Sequence, residues 1–244
     1  MNELSNLPRK EREQLLASLE ELERRRTRNK LEYFYPSTGP LSRDKYAKHL
    51  EFFRLGKEFN ERALLGGNRS GKSHAGCYED ALHLTGRYPD WWEGHRFDKA
   101  VNGWVCGDIG KTLRDIIQEK FLGPPGQDDL QGTGFLPEDC IIKTTPRMGT
   151  PDAVESIFVK HVSGGTSVVQ FKAYEQGRAA FQGTSQDFIH LDEECPEDIY
   201  IECLLRTTTT NGIIYLTATP LLGLTDLMLA FLPEMRPATE VSNG

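Results

Sequence analysis

"GGNRSGKS", residues 66–73, follows directly on Arg62-Ala63-Leu64-Leu65 and opens a run of helix-compatible residues. It matches G-x-x-x-x-G-K-[ST] at every fixed position. At average residue usage, such a match arises by chance in roughly one chain in a hundred of this length. A strand, a glycine-rich loop and a helix form the setting in which this pattern holds phosphate. Backbone N–H groups then converge on the β-phosphate, and the helix N-terminus adds partial positive charge. On this reading Gly66, Gly67, Asn68, Arg69, Ser70 and Gly71 build the loop. Lys72 reaches the β- and γ-phosphates, and the Ser73 hydroxyl binds Mg²⁺. The bland alternative is a structural glycine-rich turn.

Two downstream stretches bear on that choice. "FIHLDEE" (188–194) reads as a buried strand ending in acids. Asp192 suits the magnesium-binding carboxylate at a strand end, and Glu193 the base that polarises the water attacking the γ-phosphate. Acids that merely cap the next helix are the competing reading, which Glu194 and Glu197 could satisfy by themselves. "YLTATP" (215–220) ends another buried strand, placing the Thr217 and Thr219 hydroxyls at the sheet edge where open α/β folds bind ligands. Threonine also simply suits strands. Among the arginines, Arg69 lies inside the loop and Arg178 precedes the strand of Asp192. Arg114, Arg147 and Arg206 are less well placed.

The rest of the chain supplies the frame. Its 244 residues allow one large domain or two small ones. The helical run from Pro8 to about Leu31, with Leu15, Leu19 and Leu22 at helical spacing, predicts a solvated helix docked by a narrow stripe. A turn-rich break at 35–40 follows, then a helical segment with Leu50, Phe53 and Phe59 as buried candidates. Strands are expected at 62–66, 102–108, 187–193 and 212–220. Helices are expected from Lys72 to about Leu84, through 111–123, and over 196–207. A β-hairpin turns about Ser163-Gly164-Gly165, near one sheet edge, while 123–152 reads as an irregular excursion. Alternating strands and helices predict an α/β fold with a sheet that is parallel in its core.

Composition excludes several classes. The net charge of −7 argues against a general nucleic-acid coat, although residues 1–50 hold eleven Lys/Arg against eight Asp/Glu. Cys77, Cys106, Cys140, Cys195 and Cys203 form no C-x-x-C pair and no zinc spacing, which suits free thiols in a reducing compartment. The six histidines are scattered and are read as structural. No apolar run reaches the length of a membrane span, and the N-terminus lacks the apolar core of a signal peptide.

Taken together, "FNERALLGGNRSGKSHAG" (59–76), "LTGRYPDWWEGHRFDK" (84–99), the stretch 174–207 around "DFIHLDEEC", and "GIIYLTATPLLGLTD" (212–226) resemble the ATPase domain of tailed-bacteriophage terminase large subunits. The resemblance implies an ASCE-type, RecA-like P-loop NTPase fold with flanking helices and an N-terminal helical extension over 1–40. It implies an ATPase domain over 41–232 and a linker over 233–244. It further implies ATP and Mg²⁺ as cofactors and hydrolysis that drives double-stranded DNA into a procapsid. The implied partners are a portal protein, a small terminase subunit and further copies in a ring, in the cytoplasm of an infected bacterium. Lys72 and Ser73 match the family's phosphate-loop roles, Asp192 and Glu193 its acids, and Thr217 to Pro220 its coupling segment. Arg69 matches an arginine in many terminase loops, and Arg178 lies in the region that supplies an arginine in trans. Relatives carry a glutamine that reads adenine upstream of the loop; His49 stands there in this chain. Relatives also continue into a nuclease, so no nuclease activity is expected of this stretch. The competing classes are a helicase or DNA translocase of another P-loop lineage and a non-hydrolysing ring scaffold.

Overall fold

Period-two alternation along the buried strands sets the layers of this fold. In β6 (Phe188–Asp192), Phe188 packs into one apolar cluster while Ile189 and Leu191 pack into another. In β7 (Ile213–Ala218), Ile213 and Tyr215 join the first cluster, and Ile214, Leu216 and Ala218 the second. Both strands are buried along their whole length, so helices must cover both faces. The computed structural model describes residues 8–220 and 225–232. The expected linker over 233–244 and the first seven residues of the N-terminal extension lie outside the described residues.

Among the described residues the sheet has seven strands in the order β1-β7-β6-β2-β5-β4-β3. These are β1 (Glu61–Leu65), β2 (Asn102–Gly107), β3 (Ile141–Pro146), β4 (Val154–Lys160) and β5 (Thr166–Ala173), besides β6 and β7. The pairings β1–β7, β7–β6, β6–β2 and β2–β5 are parallel, while β4 runs antiparallel to both β5 and β3. The hairpin thus lies toward one edge, as its sequence predicts. The excursion over 123–152 needs correcting, because it contains β3. That strand is an edge, mostly exposed or half-buried, so its sequence carries no apolar alternation to betray it.

The helices are α1 (Arg9–Arg28), α2 (Lys30–Tyr33), α3 (Ala47–Leu55), α4 (Lys72–Thr85), α5 (Gly110–Thr112), α6 (Glu119–Leu122), α7 (Glu197–Thr208) and α8 (Asp226–Ala230). A π-helical stretch, Leu113–Gln118, joins α5 to α6. Helix α4 lies on the first face, where Ala75, Tyr78 and Leu82 are buried; α7 lies on the second, through Ile199 and Cys203. Two local expectations fail. Helix α1 has no buried residue, and Leu15, Leu19 and Leu22 stay exposed; a helix so charged is stabilised by its own i,i+4 pairs, such as Arg9–Glu13 and Arg25–Glu21. Phe59 is also exposed, because α3 ends at Leu55 and the chain has left helical spacing; Phe53 is buried and Leu50 half-buried.

A buried ion pair ties the first strand to α4. Arg62 donates to the Glu79 carboxylate, with His83 Nε2 at 3.3 Å from the same oxygen, and all three side chains are almost fully buried. The guanidinium also lies over the Phe52 and Tyr215 rings, at 4.6 and 4.8 Å from their centroids. Burial raises the carboxyl pKa of Glu79, but the Arg62 charge and hydrogen bond, with the His83 ring beside the same oxygen, outweigh it and hold the pKa below the usual range. Glu79→Ala strands a buried arginine and is expected to cost about 3–5 kcal/mol in urea unfolding. A loss under about 1 kcal/mol would show that Arg62 needs no such partner.

Candidate active site

The parallel strands deliver their loops to one end of the sheet, where the glycine-rich loop, Asp192, Glu193 and Thr219 come together. Residue Gly71, at the N-cap of α4, has φ 85°, a left-handed conformation that glycine adopts without strain. The first N–H groups of α4 have no carbonyl a turn earlier to accept them, so they face the loop with the helix's partial positive charge. Lys72 is buried and its Nζ donates to the Gly67 carbonyl at 2.9 Å, drawing the ammonium into the loop. Gly66 N–H bonds the Ala218 carbonyl at 3.3 Å, which sets the loop beside the end of β7. Arg69 is exposed at the loop's crest with φ 63°.

Strand β6 carries the acids. Asp192 is its last residue and shares a face with His190, directed toward α4. Its Oδ1 accepts the Thr217 hydroxyl at 2.8 Å. At Glu193 the chain turns sharply, with φ 65°, a conformation uncommon for any residue but glycine and costing about 1–3 kcal/mol. Glu193 N–H still bonds the Thr217 carbonyl at 2.9 Å, and the Tyr174 hydroxyl donates to the Glu193 carbonyl at 3.2 Å. The strained turn is therefore held from two sides. It directs the carboxylate across to the end of β7, where Oε2 accepts the backbone N–H of Thr219, the residue after the strand, at 3.1 Å. Among the described residues, the buried Thr219 hydroxyl has no partner. Glu194 is otherwise engaged, accepting the Thr225 hydroxyl.

A magnesium ion prefers a few oxygen donors and keeps several waters. One serine hydroxyl at the start of α4 and one carboxylate at the end of β6 are such a set, so Ser73 and Asp192 fit the ion.

Residues 63–242 match the family described as "Terminase large subunit, T4likevirus-type, N-terminal". The chain belongs to that family. The curated large terminase subunit of Salmonella phage P22 is 35% identical over 257 aligned residues, covering 98% of this chain and 50% of the relative. This terminase chain thus spans about half the length of that curated relative. Two structures of the large terminase from a thermophilic bacteriophage share the fold, each with a TM-score of 0.51. One is 12% identical and covers 77% of this chain and 42% of that one; the other, in complex with ADP, is 13% identical and covers 78% and 42%. The fold is a P-loop NTPase fold with a mostly parallel sheet. Among the described residues no helix is long and apolar enough to cross a membrane.

The remaining sequence-selected residues of this terminase domain are placed as follows. His49 lies against the phosphate loop, its Nε2 within 3.1 Å of the Ser70 carbonyl and its Nδ1 within 2.9 Å of the Tyr35 hydroxyl. Burial lowers its pKa, against the opposing effect of the Ser70 hydrogen bond. Nε2–H therefore donates to the loop while Nδ1 accepts from tyrosine. Arg178 sits in a 3₁₀ turn, Arg178–Phe181, half exposed, with Nε donating to Glu202 of α7 at 3.2 Å; Arg206 takes the other oxygen at 2.9 Å. The tryptophan segment packs beneath the site: Trp92 lies 4.8 Å from Phe53, and Trp91 stacks on Tyr78 of α4.

Sequence reasoning passed over Asp80, Tyr174, His190 and Tyr215. A histidine inside an otherwise apolar strand, and an acid on the buried face of the phosphate-loop helix, were the available signals. Neither has meaning until the two elements are packed together.

Proposed function

We infer that this chain is the ATP-hydrolysing part of a phage DNA-packaging motor, driving double-stranded DNA into a procapsid with a portal protein and a small terminase subunit. The observation that carries the reading is the hydrogen bond from the Thr219 N–H to Glu193 Oε2. It couples the candidate base directly to the segment that follows β7, beside a complete phosphate loop. Lys72 and the N–H groups at the start of α4 hold the β- and γ-phosphates. Glu193 accepts the proton of the attacking water. Mg²⁺, held by Ser73 and Asp192, would neutralise charge on the transferring phosphoryl group. His49 serves the loop by bonding Ser70, since both of its ring nitrogens already have protein partners. Loss of the γ-phosphate changes what faces Glu193, and the bond to Thr219 passes that change to β7 and the segment beyond it.

Phosphate release from Mg-ATP by the purified chain, with and without linear double-stranded DNA, tests the reading. A measurable rate stimulated by DNA is expected. ATP binding without turnover under any condition would favour the ring-scaffold class instead.

Completion of the site by a neighbouring copy is part of the proposal. Arg178 is the candidate donor: it is half exposed and tethered to Glu202 until a neighbour's γ-phosphate competes for it. Arg69 acts within its own loop. An arginine at a transferring phosphoryl group is worth about 10³–10⁵ in rate in GTPases. The isolated chain should therefore be a slow ATPase whose rate per subunit rises with protein concentration. Arg178→Ala and Glu193→Gln subunits, each inactive alone, should regain activity when mixed. No recovery on mixing, where wild-type rates are cooperative, excludes Arg178 as the donor.

A further inference from the structure

Behind the candidate magnesium carboxylate lies a chain of buried hydrogen bonds that the reading above does not use. Thr217 Oγ1 donates to Asp192 Oδ1 at 2.8 Å and lies 2.8 Å from His190 Nε2. His190 Nδ1 lies 2.7 Å from Asp80 Oδ2, and the Tyr215 hydroxyl donates to the other Asp80 oxygen. Asp80, His190, Tyr215 and Thr217 are fully buried, and Asp192 nearly so.

Proton counting gives the chain a direction. A threonine hydroxyl has one hydrogen, and here it goes to Asp192. Thr217 must then accept from His190, so Nε2 carries a hydrogen. Asp80 faces the other ring nitrogen and shares a proton with it, which keeps Nε2–H in place whichever atom holds that proton. The ring has little room to turn. It stacks on Tyr215 at 5.1 Å between centroids, and a Cβ on Gly76 of α4 would run into it. Cys77 also brings its sulfur within 4.8 Å of the Asp80 and His190 ligating atoms. Both nitrogens of His190 and both oxygens of Asp80 are already taken, so the cluster is a hydrogen-bond network and not a metal centre.

We propose that His190, held by Asp80, is a positioning residue for the magnesium site: it orients the Thr217 hydroxyl onto Asp192 Oδ1 and so leaves Oδ2 to the ion or its water. The proposal rests on the magnesium role given above to Asp192. An unrestrained carboxylate would lose this orientation by rotating, and partners behind a metal ligand typically change metal affinity about 10–100-fold. Because Asp80 lies on α4 and Thr217 on β7, the same bonds fix Asp192 relative to both the phosphate loop and the coupling strand.

The test is equilibrium binding of a fluorescent, non-hydrolysable ATP analogue to the whole chain, in EDTA and across a Mg²⁺ titration. His190→Phe keeps the ring's bulk and Thr217→Val its shape, while each breaks the chain of bonds. Both should raise the half-saturating Mg²⁺ concentration at least about tenfold, with binding in EDTA unchanged, which also shows that the variants are folded. Asp80→Asn can donate to Nδ1 and accept from Tyr215, so it should keep wild-type Mg²⁺ dependence. If His190→Phe and Thr217→Val titrate as wild type does, the proposal is overturned. It is likewise overturned if Asp80→Asn behaves as His190→Phe, since charge rather than orientation would then carry the effect. Equal loss of binding in EDTA would assign the network to the fold alone and also overturn it. A wild-type chain whose binding ignores Mg²⁺ refutes the underlying magnesium reading itself.

Discussion

Glu193→Gln is expected to bind ATP within about twofold of wild type while turnover falls about 10²–10⁴-fold, the range for a lost general base. Glutamine keeps an oxygen that can accept the Thr219 N–H, so the contact seen at 3.1 Å survives and basicity alone is removed. The left-handed turn at Glu193, held by the Thr217 carbonyl and the Tyr174 hydroxyl, should also survive, because it is a backbone feature. Single-turnover hydrolysis and analogue binding on the same preparation separate the two effects. Near-wild-type turnover would eliminate Glu193 as the base. Glu194 would be the next acid to test, although its carboxylate accepts the Thr225 hydroxyl.

Lys72→Ala should be at least as severe and should fail differently. The ammonium is buried inside the loop, against the Gly67 carbonyl, where its charge is poorly screened. On the proposed reading, its removal takes away the main side-chain cation for the β- and γ-phosphates. ATP affinity should fall about tenfold or more and hydrolysis about a thousandfold, on the scale of losing one preorganised electrostatic contact. Melting should change little, because among the described residues the lysine makes no ion pair that holds the fold. ATP affinity that stays at the wild-type value would argue that the loop does not hold phosphate through Lys72.

The two substitutions test different links. Lys72 tests whether the site binds a nucleotide; Glu193 tests whether a bound nucleotide is cut. A nucleotide-dependent scaffold would show the first effect and have no turnover for the second to remove. A packaging ATPase shows both, together with the mixed-subunit recovery expected for Arg178.

Local chemistry explains what was legible from the chain alone. The glycine-rich loop, the strand ending in Asp192 and the strand that carries Thr217 are short, consecutive patterns. Glycine at 71 answers a left-handed backbone at that position, and unbroken apolar runs answer strands covered on both faces. The expected helices from Lys72 to about Leu84 and over 196–207 match α4 and α7, while the one through 111–123 is interrupted by the π-helical stretch Leu113–Gln118. Where the reading failed, periodicity had no burial to report. β3 is an edge strand with little buried surface, and the leucines of α1 keep helical spacing without a surface beneath them.

By itself, then, the sequence pointed to most of the elements and to the candidate loop and acids, because each depends on residues within a few positions of one another. Tertiary structure decided what lies between them. Asp80 and His190 are 110 positions apart, and Glu193 and Thr219 26, yet each pair is in contact. Only the parallel register of β6 with β7 brings Asp192 opposite Thr217, and only the packing of α4 on that face brings Asp80 to His190. A hydrogen bond acts over about 3 Å and carries no trace along the chain. Its partners can be named only once the sheet has fixed which residues face one another.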